Sequence, residues 1–110
     1  MSERIEKVNQ LLNKELGELI TKNVTFKPGI FVTIEKVDTT ADLRYTDVFI
    51  SIFPPDQSDY ALKTLEHEMY ALQGKLNRRL HMKPLPRIRF CQTDIEEKAD
   101  ELDRLIREDV

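Results

Sequence analysis

The apolar residues of this chain change their spacing along its length, and most of the changes coincide with proline or glycine. Over residues 2–22, Ile5, Val8, Leu12, Leu16, Leu19 and Ile20 recur at three- and four-residue steps, which lays one stripe along a helix. Ser2 is placed to cap it. Pro28-Gly29 breaks the helix, and the period drops to two. Ile30, Val32 and Ile34 alternate with Phe31, Thr33 and Glu35 over residues 30–37, and Val48, Ile50 and Ile52 with Phe49, Ser51 and Phe53 over residues 45–53. Both runs read as strands. No two-residue hairpin signal joins them, so antiparallel pairing through a longer loop is expected. Pro54-Pro55 stops the second strand.

Helical spacing returns over residues 58–81 with Leu62, Leu65, Met69, Leu72, Leu76 and Leu80, and Pro84 and Pro86 end it. Gly74 lies inside this stripe, where it costs up to about 1 kcal/mol relative to alanine, which leaves open a bend, a split into two helices, or a helix that runs straight. Residues 87–91 alternate again, with Ile88 and Phe90 on one face and Arg87 and Arg89 on the other. Thr93-Asp94-Ile95-Glu96 then forms a capping box, opening a final helix along Ile95, Ala99, Leu102 and Ile106. The order α-β-β-α(α)-β-α predicts an α+β fold, a three-stranded sheet with the first two helices packed on one face, plus a C-terminal helix. At 110 residues the chain suits one domain. Residues 1–93 form its body and residues 94–110 an appended acidic helix.

Charge is segregated along this framework. Residues 70–93 contain Lys75, Arg78, Arg79, Lys83, Arg87 and Arg89 and no acid, although the whole chain carries −3. Residues 94–110 hold Asp94, Glu96, Glu97, Asp100, Glu101, Asp103, Glu108 and Asp109 against Lys98, Arg104 and Arg107. This separation suggests a polyanion-facing surface on the body and a distinct acidic tail. No apolar run is long enough to span a bilayer, and the charged opening MSERIEKVNQ does not fit a signal peptide. With a lone Cys91, a cytoplasmic protein with no internal disulfide is expected.

The element order matches a type II K-homology (KH-like) domain, but the Gly-x-x-Gly loop of ordinary K-homology domains is absent: the glycines are Gly17, Gly29 and Gly74. The residues themselves carry a closer resemblance. Arg4-Ile5-Glu6-Lys7-Val8, continuing to Leu12, Glu15 and Ile20, resembles the opening helix of the bacterial ribosome-binding factor A family. Val32-Thr33-Ile34-Glu35-Lys36-Val37-Asp38 and Asp42-Leu43-Arg44-Tyr45-Thr46-Asp47-Val48-Phe49-Ile50-Ser51 are similar to its two-strand signature. Arg78-Arg79-Leu80-His81-Met82-Lys83-Pro84-Leu85-Pro86-Arg87-Ile88-Arg89-Phe90 resembles its basic helix end and third strand, and the match continues through Ile106.

The resemblance implies a non-catalytic assembly factor that binds the small (30S) ribosomal subunit and assists maturation of 16S rRNA, often needed in the cold, without cofactors. It also implies an Ala-x-Gly kink between two helices. At the corresponding place this chain has Glu68-Met69-Tyr70, with Gly74 as a candidate displaced kink. A monomer is expected.

Lys75, Arg78, Arg79 and Lys83 are the leading RNA-binding candidates, since arginine and lysine on a helix flank can reach phosphates. The alternative is a solvated face whose long side chains cover the core. Arg87 and Arg89 could instead mark the wet face or edge of a sheet. For Arg44 the choice lies between an RNA contact and a loop ion pair with Asp42 or Asp47. Arg4 and Lys7 extend the basic surface or pair with the interleaved Glu3, Glu6, Glu15 and Glu18. The aromatics do not suggest a stacking platform: Tyr45, Tyr60 and Tyr70 are scattered, and Phe31, Phe49, Phe53 and Phe90 occupy strand positions expected in the core. His67 and His81 have no metal-ligand spacing around them, and Cys91 reads as a small core residue rather than a nucleophile. No catalysis is expected. The remaining functional class is a protein-interaction module of the same fold that does not bind RNA.

Overall fold

A computed structural model describes residues 3–82 and 85–93. The expected Ser2 cap, Lys83 and the acidic C-terminal helix lie outside the described residues. Helix α1 runs Glu3–Asn23 and buries Ile5, Val8, Leu12, Leu16, Leu19 and Ile20, the whole predicted stripe. Asn23 Nδ2 donates to the Leu19 carbonyl (2.9 Å) and the Val24 amide to that of Ile20 (3.0 Å), satisfying acceptors at the helix end. The following turn needs Gly29, whose φ is +88°.

Strands β1 (Phe31–Thr39) and β2 (Tyr45–Phe53) pair antiparallel, as expected. Glu35 is the extra residue of a bulge between Ile34 and Lys36. The bulge reverses the inward parity, so that Val37 joins Val32 and Ile34 on the helix side despite the odd spacing. At the far end the buried Thr39 and Thr46 hydroxyls bond one another (2.9 Å), while Asn9 Oδ1 of α1 accepts the Thr39 amide (2.9 Å). In the loop between the strands, Asp42 accepts from the Thr40 hydroxyl (2.6 Å) and the Arg44 amide (3.1 Å). Those two hydrogen bonds, Thr40 first, hold its carboxyl below the ordinary carboxylate value.

A 3-10 turn, Pro55–Gln57, leads into α2 (Ser58–Arg79). Of these alternatives the split is excluded: α2 is one uninterrupted helix through Gly74 and through Glu68-Met69-Tyr70, not the two helices that the family pattern implies. Its tertiary contacts outweigh the glycine, with Leu65, Leu72 and Leu76 buried on both sides of Gly74. A Cβ placed at Gly74 would lie 3.6 Å from an Arg78 guanidinium nitrogen, an ordinary contact. Gly74→Ala is therefore expected to stabilise the protein by up to about 1 kcal/mol, read as a raised urea midpoint. An unchanged or lowered midpoint would count against a plain helical role for this glycine.

Strand β3 (Arg87–Gln92) lies beside β2 and parallel to it, giving a mixed sheet in the order β1-β2-β3. Gln73 of α2 fastens this strand. Its Oε1 accepts the Ile88 amide (3.0 Å) and its Nε2 donates to the Pro86 carbonyl (3.2 Å). Both helices pack on one face, enclosing a core that includes Leu12, Leu16, Val48, Ile50, Leu65, Leu72, Leu76 and Ile88.

The other face of the sheet has no described element over it. Phe31 and Phe53, expected in the core, are instead directly paired on this face and are 66% and 55% exposed. Phe49 lies on the same face and is half-buried, whereas Phe90 does pack against the core. Alternation alone could not say which set of residues faced inward.

Candidate nucleic-acid interface

The contiguous basic stretch of the sequence is distributed by the fold over different surfaces. Leu19, Lys22, Asn23, Lys75, Arg78 and Arg79 line one shallow groove between α1 and α2. The two helices run antiparallel here, since Lys75 meets Asn23 while Arg79 meets Glu15 and Glu18.

Lys75 Nζ donates to the neutral Asn23 Oδ1. Its charge is thus positioned without being neutralised. Arg78 is exposed on the side of α2 away from Leu76, and neither it nor Lys75 makes a salt bridge among the described residues. Arg79 differs: its guanidinium is 2.8 Å from Glu15 and 3.2 Å from Glu18. That partly exposed cluster contributes at most about 1 kcal/mol to stability, yet it draws Arg79 away from an incoming phosphate. Lys22 completes the groove and was not singled out by sequence. Its place in the last turn of α1 is the signal, because bases gather at helix C-termini to meet the dipole. The same dipole argument covers Arg78 and Arg79 but not Lys75, which lies a turn further in.

A second basic group stands at the start of β2 and β3. Leu43, Arg44, Tyr45, Leu85 and Arg87 line a depression there, and the Arg87 amide bonds the Arg44 carbonyl (2.8 Å). Arg44 reaches Asp42 at 3.8 Å between two well-exposed side chains, the loop pairing rather than one with Asp47. Asp47 is taken by Arg89, through contacts of 2.7 and 3.2 Å, and the Arg89 guanidinium lies 4.3 Å from the Tyr45 ring centre. Arg89 is thereby committed to the outer sheet face by an ion pair and a cation–π contact. Arg87 is exposed and forms no salt bridge among the described residues.

Arg4 and Lys7 form neither group. With Glu3, Val8 and Leu11 they line a depression near the start of α1. Along α1, Lys7 and Lys22 are separated by about 22 Å at the helical rise.

The ribosome-binding factor A family model matches residues 4–106. The chain belongs to the ribosome-binding factor A family. A relative of that name from Chlorobium phaeobacteroides is 32% identical over 112 residues, covering 98% of this chain and 95% of the relative. The crystal structure of ribosome-binding factor A from Thermus thermophilus superposes with a TM-score of 0.67 at 26% identity, covering 80% of this chain and 93% of that one. A homology model of the Thermus factor, fitted into a cryo-EM map of its complex with the 30S subunit, gives 0.63 at 28% identity, over 76% and 88% of the two chains. The α+β body is accordingly KH-like, as in these ribosome-binding factor A structures.

Within this family fold, the described residues hold no cluster of three or more His, Cys, Asp or Glu side chains suited to a metal. No described helix is long and apolar enough to cross a membrane. Cys91 is half-buried on the outer sheet face, not in the core, opposite Phe49. Burial first, then the nearby Asp47 carboxylate, pushes its thiol pKa up, which opposes the thiolate a nucleophile requires.

Proposed function

We propose that this protein is a non-catalytic assembly factor that acts as a cytoplasmic monomer, binds the free small ribosomal subunit or its precursor, and assists maturation of 16S rRNA. The observation that carries the reading is the α1/α2 groove, where Lys22, Lys75 and Arg78 converge and the tethering partner of Lys75 is neutral. Folded RNA presents closely spaced phosphates. Cations held in one groove release counterions on meeting them, and arginine adds bidentate hydrogen bonding. Arg44 and Arg87 are proposed as a second contact, and Lys83 as an RNA contact from its place in the basic run of the sequence, while Arg79, Arg89, Arg4 and Lys7 contribute less. For Arg79 and Arg89 the reason is carboxylates that already occupy them. Arg4 and Lys7 stand at the remote end of α1.

The 30S complex of the Thermus relative supports the choice of partner. Gradient sedimentation of a cell lysate tests it. The protein is expected to travel with free small subunits, and finding it only at the top of the gradient, or only with complete ribosomes, would refute the reading. Binding to the purified subunit should also weaken with salt, log affinity falling with log salt by about 0.7–0.9 per phosphate contacted. Salt-independent binding would instead indicate a protein-interaction module.

A further inference from the structure

We propose that Tyr45 and Arg89 form a platform on which an unpaired nucleobase of the bound RNA stacks, with Arg87 meeting the phosphate of the same nucleotide. The inference rests on the RNA-binding reading above and gives its second contact a ligand. Asp47 grips the Arg89 guanidinium through both carboxylate oxygens, Nε donating at 2.7 Å and Nη2 at 3.2 Å. Two-point pairing of this kind neutralises the charge and also fixes the plane of the group. The Tyr45 ring, its centre 4.3 Å from the guanidinium carbon, supports that plane from one side. Asp47 thus takes from Arg89 its value to a phosphate but leaves its flat surface.

That surface is accessible: the Arg89 side chain is 47% exposed and Tyr45 37%. Single-stranded RNA is read through unstacked bases laid on aromatic rings and guanidinium planes. Arginine on a free surface must first be ordered to serve in this way. Here the fold has ordered it, so binding forfeits little rotamer freedom. The strand register supplies the neighbouring phosphate contact. Arg87 stands opposite Tyr45, two residues before Arg89 on the same face of β3 and about 7 Å from it, a separation that one nucleotide bridges between base and phosphate. It is exposed and forms no salt bridge among the described residues. Tyr45 and Arg87 also line the depression that holds Arg44, so the platform and the second basic contact are continuous. Asp47, Arg87 and Arg89 surround the ring with charge, which suits a polyanion carrying flat bases better than an apolar protein surface.

Arg89→Lys keeps the charge opposite Asp47 but removes the plane, and Tyr45→Leu removes the ring. Each is expected to lower the affinity of the full chain for the purified small subunit about five- to fiftyfold with an unchanged salt slope, because a stacked base releases no counterions. Tyr45→Phe keeps the ring and should bind like the parent chain. Unchanged affinities in Arg89→Lys and Tyr45→Leu, or a loss matched by a change of slope, would overturn the platform while leaving the groove reading intact. A parent chain that fails to bind the subunit would instead refute the reading on which the proposal rests. Short oligoadenylate added to the unaltered chain tests the platform without the subunit and without variants. The Tyr45 ring and Arg89 Nε–H resonances should move upfield in NMR spectra, and a ribose-phosphate oligomer lacking bases should not move them. Absent shifts, or equal shifts from the abasic oligomer, would overturn the proposal. An affinity loss in the variants without any oligoadenylate shift would place a ribosomal protein on this surface in place of RNA.

Discussion

Replacing Lys75 and Arg78 together by alanine is expected to lower affinity for the small subunit by about ten- to a hundredfold at moderate salt and to reduce the salt slope by about 1.5. The expectation follows from removing two cations that the fold presents without a carboxylate partner among the described residues. Stability should change little. Both positions are in a helix where alanine is favourable, and the chief loss is one exposed hydrogen bond from Lys75 to Asn23. Arg79→Ala gives the contrast. It removes one formal charge from the same groove, where the double variant removes two, and removes it from a side chain already held by Glu15 and Glu18. Its effect on affinity should be severalfold smaller, with little change in slope. Filter binding or fluorescence anisotropy over a salt series separates these outcomes. An Arg79→Ala variant that lost half the log-affinity and half the salt slope of the double variant would show that bulk charge, not the free cations of the groove, drives binding.

That contrast marks how far the sequence could be read. The periods of 3.6 and two located both α-helices and the three strands among the described residues, though not the short 3-10 turn, because stripe and alternation are direct consequences of helix and strand geometry. The charge run Tyr70 to Thr93 was equally visible, but its division was not. Whether a base is free depends on residues far away in the chain: Glu15 and Glu18 answer Arg79 from α1, and Asp47 answers Arg89 across the β2–β3 pairing. Periodicity also leaves face ambiguous. The outward set in β1 and β2 mixes Phe31, Phe49 and Phe53 with Thr33, Glu35 and Ser51, so Phe31 and Phe53 passed for core, and the packing of α1 and α2 against Val48, Ile50 and Ile52 decides otherwise. The continuity of α2 was hidden for a similar reason. A glycine's local cost near 1 kcal/mol is small beside the burial of Leu72 and Leu76 flanking it.

Gln73→Ala is expected to cost about 2 kcal/mol, a large effect for a side chain that reads as an ordinary polar residue on a helix flank. Strand β3 is an edge strand on its α2 side, and Gln73 supplies what a further strand would have supplied there: an acceptor for the Ile88 amide and a donor for the Pro86 carbonyl. Truncation leaves both groups without a partner in a half-buried setting, where each unsatisfied group costs about 1–3 kcal/mol unless water replaces the bond. Gln73→Glu isolates the two contributions. The carboxylate still accepts from Ile88 but cannot donate to Pro86, so it should retain part of the stability. Urea unfolding measures the loss, and amide exchange locates it: protection should fall at Ile88 and along β3 before it falls in α1. A uniform fall across the molecule would mean that Gln73 acts through helix packing rather than through the edge of the sheet. Because β3 carries Arg87 and leads into residues 94–110, loosening it should also disturb the second basic contact while the groove at Lys75 and Arg78 stays intact. A Gln73 variant is therefore expected to retain most of its salt-dependent affinity, losing at most the share that Arg44 and Arg87 contribute.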